Sequence, residues 1–238
     1  MILGLLTVGN GYAQREHPAF SERQRERRTL VYEEIADYQG IRISDPGVLD
    51  AMYAVPRHAF VPENSARYAY ENRPLPIGYD QTISQPVIVA SMTQLLEPKN
   101  GQKILEVGTG SGYQAAVLAE MEADVYTIEI VPELGNRAKK TLHDLGYSEI
   151  HVKIGDGYAG WPEHAPFDRI IVTCAPEDVP EPLVEQLKPG GKIVIPIGPV
   201  DQFQFLVVLE KNKKGKLRRT MKYPVRFVPM TGKAQDKK

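Results

Sequence analysis

The sequence predicts an α/β fold built on a doubly wound, mostly parallel sheet. From Lys103 onward, short runs rich in β-branched side chains alternate with helical patterns at a regular spacing. These strand runs are almost continuously apolar, as expected of strands that helices cover on both faces. A loop with three glycines, Gly108–Gly112, follows the first strand and precedes a helix, an arrangement typical of Rossmann-like folds.

The elements of this alternating part follow from the hydrophobic pattern. We predict strands at Lys103–Val107, Asp124–Ile130, Ile150–Ile154, Arg169–Cys174 and Lys192–Ile197, and helices at Gly112–Met121, Pro132–Leu145 and Pro182–Leu187, the last closed by Pro189–Gly191. The chain then departs from the alternation, because Phe203–Glu210 and Lys216–Val228 predict two strands joined by a basic turn. A C-terminal antiparallel hairpin therefore completes the predicted sheet.

The N-terminal part predicts helices and one long loop. Three helices are expected: one from Ser21 to Tyr38 that Gly40 ends, a short one after Asp45–Pro46, and one at Pro86–Leu96. Residues 72–86 predict an irregular but ordered loop, and loops of this length in compact proteins are commonly functional. We therefore divide the chain into a flexible N-terminal segment (1–20), N-terminal helices with a substrate and active-site loop (21–98), a cofactor-binding core (99–232) and a flexible tail (233–238).

Composition excludes several classes of function. The net charge of −1 gives no general attraction to nucleic acid or to an anionic membrane, and no apolar run is long enough to span a bilayer. Cys174 is the only cysteine, and the five histidines show no metal-ligand spacing, so we expect neither a disulfide nor a metal site. We expect no nucleic-acid or membrane partner and take the chain to act as a monomer.

The first residues leave the compartment open. Ile2–Val8 is a short apolar run, and Gly11–Ala13 resembles the cleavage site of a secretory signal. No Lys or Arg precedes the run, however, so a disordered start or an over-extended start codon is the favoured interpretation. We expect a cytoplasmic protein; the alternative is a periplasmic or exported protein whose first thirteen residues are cleaved.

The glycine loop is the first indication of the ligand. Glycines let the chain turn sharply and let a ligand approach the backbone, which makes candidate cofactor contacts of Gly108, Thr109, Gly110, Ser111 and Gly112. In the dinucleotide fingerprint G-x-G-x-x-G the third glycine would stand at Tyr113, one position after the glycine found here. This spacing disfavours an NAD-dependent dehydrogenase, which remains the weaker alternative.

Three carboxylates at strand ends narrow the choice of ligand. Glu129 lies about 20 residues after Gly108, where a carboxylate can accept hydrogen bonds from both hydroxyls of a ribose. Asp156, next to Gly157, closes the third strand, where an acid and a free N–H could bind an adenine edge. Glu106 stands where methyltransferases place an acid near a methionine ammonium group. Three acids without a phosphate-binding Lys or Arg suit a cationic sulfonium, so we predict S-adenosylmethionine, with S-adenosylhomocysteine as its product.

The acceptor is less well defined by the residues alone. Methyltransferases that modify the amines of adenine or cytosine commonly carry an Asp/Asn-Pro-Pro-Tyr/Phe motif after the fourth strand. Thr173–Pro176 occupies that position here and does not match the motif. Phenols and catechols usually need a base or a metal, and neither is evident. A carboxylate is already ionised at neutral pH, so the missing base favours a carboxylate acceptor. A methyltransferase acting on a small molecule or RNA, and a nucleoside-binding module without activity, remain alternatives.

The segment Tyr79–Pro86 resembles that of the protein-L-isoaspartate O-methyltransferase family. The likeness continues through Val55–Pro62, Glu106–Tyr113, Gly155–Gly157, Phe167–Thr173 and Leu187–Gly191, and thus runs from about Arg27 to about Gly232. A parallel sheet that ends in an antiparallel pair is also the layout of class I methyltransferases. The Thr-Ile-Ser-Gln-Pro element is far more specific to the family than the glycine loop.

The resemblance implies an activity and an active site. Ser84 would be the catalytic residue, with its hydroxyl donating to the acceptor carboxylate, and Thr82 and Ile83 would line the cofactor and substrate pocket. The acceptor would be the free α-carboxylate of an L-isoaspartyl residue in a damaged peptide, whose methyl ester cyclises to a succinimide and reopens partly as Asp, which repairs the chain. Pro74, Pro76 and the loop backbone would bind the peptide in extended form. From the residues alone, Ser84 also fits a helix N-cap.

Overall fold

The structure is a computed structural model that describes residues 15–199 and 201–235. The interpretation of residues 1–13 as a signal remnant or start-site extension lies outside the described residues, as does the second half of the predicted tail at 233–238. Residues 15–20 contact the core: Pro18–Phe20 forms a 3-10 helix, Ala19 is buried, and Arg15 pairs with Glu120 at 3.2 Å. The division at residues 20, 98 and 232 stays a prediction.

The described residues form a central sheet flanked by helices. The strands are β1 (Asp37–Tyr38), β2 (Ile41–Arg42), β3 (Leu75–Gly78), β4 (Gln81–Ile83), β5 (Lys103–Val107), β6 (Asp124–Glu129), β7 (His151–Ile154), β8 (Phe167–Val172), β9 (Leu187–Ile197), β10 (Gln204–Lys211) and β11 (Leu217–Val225). The α-helices are α1 (Gln24–Arg28), α2 (Pro46–Ala54), α3 (Glu63–Ala66), α4 (Pro86–Leu96), α5 (Tyr113–Glu120), α6 (Pro132–Asp144) and α7 (Glu181–Glu185). A π-helical segment, Thr29–Ile35, continues α1.

The main sheet has seven strands in the order β11-β10-β9-β8-β5-β6-β7. The five strands from β9 to β7 are parallel, whereas β10 runs antiparallel to both β9 and β11. The chain leaves β5 toward β6 and β7 on one side and later adds β8 and β9 on the other. The strand order therefore reverses at β5, and a crevice opens at the carboxyl ends of β5 and β8. The predicted fold class, including the C-terminal hairpin, is confirmed.

The apolar pattern of the strands explains why helices cover both faces. Neighbouring residues of one strand belong to different buried clusters, as Ile104 and Leu105 do in β5 and Ile171 and Ile170 do in β8. Because successive side chains of a strand point to opposite faces, the two clusters lie on opposite sides of the sheet. All residues of α5 are buried, since the N-terminal helices pack over it.

Three local predictions are wrong. The first helix does not run from Ser21 to Tyr38, because Arg23 has a positive φ of 50° and Gly40 forms the turn of the small β1–β2 hairpin instead of ending a helix. The predicted irregular loop at 72–86 contains the β3–β4 hairpin, whose turn has positive φ at three successive residues from Gly78. The run Pro189–Gly191 belongs to β9, which begins at Leu187 because that residue pairs with Phe167.

The predicted helices that start at Pro46, Pro86 and Pro132 are confirmed, whereas the helix predicted at Pro182–Leu187 begins at Glu181 and ends at Glu185. In α2, the Asp45 side chain accepts from the N–H groups of Gly47 at 2.9 Å and Val48 at 3.3 Å, which satisfies donors that the helix leaves unpaired. Helix α4 begins at Pro86 as predicted. Within the described part of the chain, no helix combines the length and the apolar character needed to cross a membrane.

Candidate active site

A cleft of about 840 Å³, including the space open at its mouth, lies at the carboxyl ends of β5, β6 and β8. Strand pairing explains its position, because Val107 lies opposite Ile128 in β6 and Val172 in β8, so the residues that follow these strands meet at one edge. Eleven of the twelve predicted site residues line it: Thr82, Ile83, Ser84, Glu106, Gly108, Thr109, Gly110, Ser111, Glu129, Asp156 and Gly157.

The exception is Gly112, which lies behind the cleft. A β-carbon there would stand 3.2 Å from Leu142 and 3.5 Å from Ala138, so this glycine lets α5 pack closely on α6. At Gly108 the reason for glycine is a close approach within the cleft wall. The Thr173 hydroxyl donates to the Gly108 carbonyl at 2.6 Å, and a β-carbon on Gly108 would collide with that hydroxyl. Gly108 also has a φ of +101°, which other residues rarely adopt.

Glu106 is a fully buried carboxyl with one unsatisfied oxygen. Its Oε2 accepts a hydrogen bond of 2.6 Å from the Thr127 hydroxyl, which in turn lies 2.6 Å from the Thr109 hydroxyl. Because Thr127 has one proton to donate, the chain of bonds runs from Thr109 through Thr127 to Glu106. Oε1 has no partner among the described residues. Burial, with a smaller contribution from the Glu129 charge, raises the pKa of Glu106 to about 8 against the opposing Thr127 bond.

Glu129 is held by the backbone on both of its oxygens. Oε2 accepts from the Gly110 N–H at 2.7 Å and Oε1 from the Val131 N–H at 2.9 Å. Each carboxylate oxygen accepts two hydrogen bonds, so one site on each remains for a ligand. The carboxylate is thus fixed in place before any ligand binds, and its orientation suits recognition of adjacent hydroxyls.

Asp156 is engaged in a similar way, but partly by the C-terminal segment. Its Oδ1 accepts from the Tyr158 N–H at 2.9 Å and its Oδ2 from the Lys233 N–H at 2.8 Å. Asp156 therefore caps the 3-10 helix Gly157–Ala159 and anchors the 3-10 helix Gly232–Ala234 above it. The sequence alone gave no indication of this second contact.

Ser84 follows β4 at the junction of two cavities. Its side chain is half-buried, and its hydroxyl has no hydrogen-bond partner among the described residues. The N-cap of α4 is Gln85, and in the first turn the Val87 N–H donates to Oδ1 of Asn72 at 3.2 Å, so the alternative role of Ser84 as a cap is excluded. The Ser84 carbonyl accepts a bond of 2.8 Å from Nη2 of Arg57.

The second cavity is a groove that adjoins the cleft and is larger, with a volume of about 1480 Å³ including the space open to solvent. It is lined by Pro74, Thr82, Ser84, Gln85, Ile88, Thr173 and the residues of 224–229, and it shares Thr82, Ser84, Thr173, Val228 and Pro229 with the cleft. Its walls are largely apolar, and Arg226 brings a cation that makes no ion pair within the described ranges. Pro74 lines the groove, whereas Pro76 is exposed and is not part of its lining.

The C-terminal wall was missed by sequence reasoning. The residues of 228–231 line the cleft, and those of 224–229 line the groove. They reach this position because the segment pairs with Ala175, whose N–H donates to the Val228 carbonyl at 2.8 Å and whose carbonyl accepts from the Met230 N–H at 2.8 Å. Apolar residues after an edge strand carry no pattern that predicts such a contact.

The remaining candidates for chemistry are few. Cys174 lines the cleft, and burial together with the Glu129 and Asp156 carboxylates raises the pKa of its thiol to about 12. A thiol of this pKa is not a nucleophile at neutral pH. Among the residues that the structure describes, three or more His, Cys, Asp or Glu side chains never come together in a way that could bind a metal ion.

Comparisons with known proteins identify the family of the chain. The family model of protein-L-isoaspartate(D-aspartate) O-methyltransferases matches residues 26–235. A protein-L-isoaspartate O-methyltransferase of Gloeobacter violaceus is 56% identical over 184 residues, 77% of this chain and 89% of that protein. One of Opitutus terrae is 53% identical over 228 residues, 95% of this chain and 94% of that protein.

A solved structure from Plasmodium falciparum has the same fold over nearly its full length. It is described as a protein-L-isoaspartate O-methyltransferase in complex with S-adenosyl-L-homocysteine, and it matches with a TM-score of 0.73 at 27% identity, over 86% of this chain and 98% of that chain. The resemblance noted in the sequence is thereby confirmed. The chain belongs to the protein-L-isoaspartate (D-aspartate) O-methyltransferase family.

Proposed function

We propose that the chain transfers the methyl group of S-adenosylmethionine to the free α-carboxylate of L-isoaspartyl residues in damaged peptides and proteins, and so starts their repair through a succinimide. The observation that carries this proposal is the junction at Ser84. A free hydroxyl stands there between a cleft with carboxylates suited to a cationic nucleoside and an apolar groove open to solvent. Family membership supports the same activity.

We assign the cofactor to the cleft. Glu106, with its unsatisfied Oε1, offers a buried partner for the ammonium group of the methionine part. Glu129 is pre-oriented for the ribose hydroxyls, and Asp156 with Gly157 flanks the position of the adenine. The glycine loop around Gly110 supplies the backbone surface against which the ligand lies. S-adenosylhomocysteine is the product that remains in the cleft, and no metal takes part in the proposed reaction.

We assign the isoaspartyl peptide to the groove. A carboxylate acceptor would find two groups of suitable chemistry there, the Ser84 hydroxyl as a donor and the Arg226 guanidinium as a cation. The apolar walls and Pro74 fit an extended peptide whose side chains project alternately. The N-terminal part at 21–98 would thus position the acceptor, and the core at 99–232 the methyl donor.

The chemistry needs alignment rather than a base. When bound, S-adenosylmethionine supplies a methyl group on a sulfonium, and the acceptor carboxylate oxygen takes that methyl as the carbon–sulfur bond breaks. The Ser84 hydroxyl holds the acceptor carboxylate by donation, without losing its proton. Both reacting charges disappear in the step, so the apolar surroundings of the junction favour the transition state over the separated ions.

A paired-peptide assay tests the function. We expect radiolabelled methyl transfer to an isoaspartyl peptide and none to the same peptide with normal Asp. Equal or absent labelling of both peptides would contradict the proposal and would direct the search to small-molecule or RNA acceptors. Substitution Ser84→Ala is expected to lower turnover and leave the affinity for S-adenosylhomocysteine nearly intact, while the exposed control Ser44→Ala changes neither.

The remaining expectations concern the setting of the reaction. We propose a cytoplasmic monomer that acts on isoaspartyl proteins and has neither nucleic-acid nor membrane partners. The net charge of −1 supports the last two points. Sedimentation analysis of the purified chain tests the oligomeric state, and N-terminal sequencing of the protein from its native cell tests the compartment, because a cleaved start would indicate export.

A further inference from the structure

Arg57 is a fully buried arginine that the proposed function leaves unused. It begins the 3-10 helix Arg57–Phe60 and belongs to the family-like segment Val55–Pro62. Its Nη2 donates to the Ser84 carbonyl at 2.8 Å and, more weakly, to the Arg73 carbonyl at 3.5 Å. Nε and Nη1 have no partner, and within residues 15–199 and 201–235 no carboxylate pairs with this guanidinium.

A second buried arginine shows how unusual this arrangement is. Arg27 is 2% exposed, and its guanidinium donates to backbone carbonyls from every nitrogen that can donate: those of Ala19, Phe20, Glu22, Tyr53 and Ala54. Arg27 thus ties the N-terminal helices together and has no contact with the cleft. Arg57 buries the same charge with far fewer hydrogen bonds, an arrangement that costs stability.

The contacts of Arg57 join the two halves of the site. Besides the Ser84 carbonyl, the guanidinium lies against the ring of Tyr113, with Cζ 5.0 Å from the ring centroid. Tyr113 directly follows the glycine loop and lines the cofactor cleft. The planar guanidinium of Arg57 therefore contacts both the loop assigned to the acceptor, at Ser84, and the residue that follows the glycine loop, Tyr113.

We propose that Arg57 is a positioning residue for methyl transfer, one that fixes the Ser84 backbone relative to the cofactor loop and thereby aims the Ser84 hydroxyl at the acceptor carboxylate. This inference rests on the proposed role of Ser84. Burial lowers the pKa of Arg57 to about 10, which leaves the guanidinium charged at neutral pH. A displacement of about 1 Å in a reacting group costs on the order of 100-fold in rate, so the loss of this support is measurable.

The test compares Arg57→Met with the matched control Arg27→Met. Both variants remove a buried guanidinium of the same N-terminal part. Arg27→Met loses five hydrogen bonds to backbone carbonyls and is expected to lower the melting temperature, whereas Arg57→Met loses few and is expected to change it less. Below each melting transition, we expect kcat on the isoaspartyl peptide to fall on the order of 100-fold for Arg57→Met only, with S-adenosylhomocysteine affinity within roughly threefold of the unsubstituted protein. Equal kcat values for the two variants would overturn the inference.

A double-mutant cycle separates this inference from the proposed function. Because Arg57 acts through Ser84, Arg57→Met should cause little further loss of kcat in the Ser84→Ala background. Additive losses would overturn the role of Arg57 and leave that of Ser84 intact, whereas unchanged turnover of Ser84→Ala alone would refute the role of Ser84. If Arg57→Met does not fold, Arg57→Lys and Arg27→Lys give the same comparison, and equal kcat values again count against Arg57.

Discussion

Glu106 offers the sharpest test of the cofactor site, because its buried carboxyl must lose a proton before it can pair with a cationic ligand. In the ligand-free protein its pKa is about 8, so at pH 7 most molecules carry the protonated acid. An ammonium group bound at Oε1 requires the ionised form. Binding of S-adenosylhomocysteine should therefore release a proton from Glu106, and affinity should rise with pH. Glu129 is the charged neighbour that contributes to this pKa.

The size of the effect follows from the ionised fraction. With a pKa of about 8, roughly 1% of the protein is ionised at Glu106 at pH 6 and about half at pH 8, so affinity should rise by up to about 50-fold over this range. Substitution Glu106→Gln keeps the side-chain size and removes the charge. Loss of a charged hydrogen bond costs about 1.5–3 kcal/mol, which lowers affinity at pH 8 by roughly 10- to 150-fold. The dependence on pH should disappear with the charge.

Titration calorimetry measures both quantities. We would titrate S-adenosylhomocysteine between pH 6 and pH 8 in two buffers of different ionisation enthalpy, which gives the number of protons released. The control Glu122→Gln removes the same charge from an exposed residue that precedes β6, at the opposite edge of the sheet, and should keep the pH dependence. If Glu106→Gln bound the ligand as tightly as the unsubstituted protein and with the same pH dependence, the assignment of Glu106 would be refuted.

Three further predictions use the same structure. First, the pKa of Glu106 is about 8 in the ligand-free fold against an ordinary value of 4.5, so this carboxyl makes the fold less stable as the pH rises from 4.5 to about 8. In calorimetric scans, Glu106→Gln should therefore raise the melting temperature at pH 8 and have little effect at pH 4, and a lower melting temperature at pH 8 would contradict this sign. Second, Gly108→Ala should abolish S-adenosylhomocysteine binding, because the new methyl group collides with the Thr173 hydroxyl. The control Gly101→Ala should lower stability alone, because Gly101 has a positive φ but open space around it, and equal binding by both variants would refute the steric argument. Third, Cys174 of the native protein should react with iodoacetamide at pH 8 on the order of 1,000-fold more slowly than Cys174 of the urea-denatured chain, because its pKa of about 12 leaves almost no thiolate. Comparable rates would show that the thiol is not buried and that its pKa is not raised.

Local patterns were sufficient to predict the parallel core. Strands such as β5 and β6 are rich in apolar and β-branched residues, and the turns between elements carry glycines whose positions are visible in the sequence. The β3–β4 hairpin escaped prediction because Pro74 and Pro76 obscure the strand pattern and because the turn residues Tyr79 and Asp80 adopt positive φ without being glycine. Pairing between two short strands is decided by the surface beneath them and not by their own sequence.

The residues of the candidate site likewise include some that local sequence patterns predict and others that only the folded structure reveals. Glu129 and Asp156 were predictable because parallel strands bring their carboxyl ends to one edge. Thr127 was not, since a threonine within a strand looks like any other β-branched residue until its hydroxyl is found beside Glu106. Arg57 was equally hidden, because burial of a charged side chain runs against composition-based expectation and appears only when the surrounding helices are in place.

The C-terminal wall has a consequence for how the active protein comes into being. Residues 226–235 are translated after every strand of the sheet, and they contribute to both cavities through Ala175 and Asp156. A chain that stops at Val225 contains every strand of the sheet but lacks the part of the wall that residues 226–231 contribute to the cleft and the groove. The strands of the sheet are therefore synthesised before the site is complete, and a protease that trims this segment would remove part of both cavities.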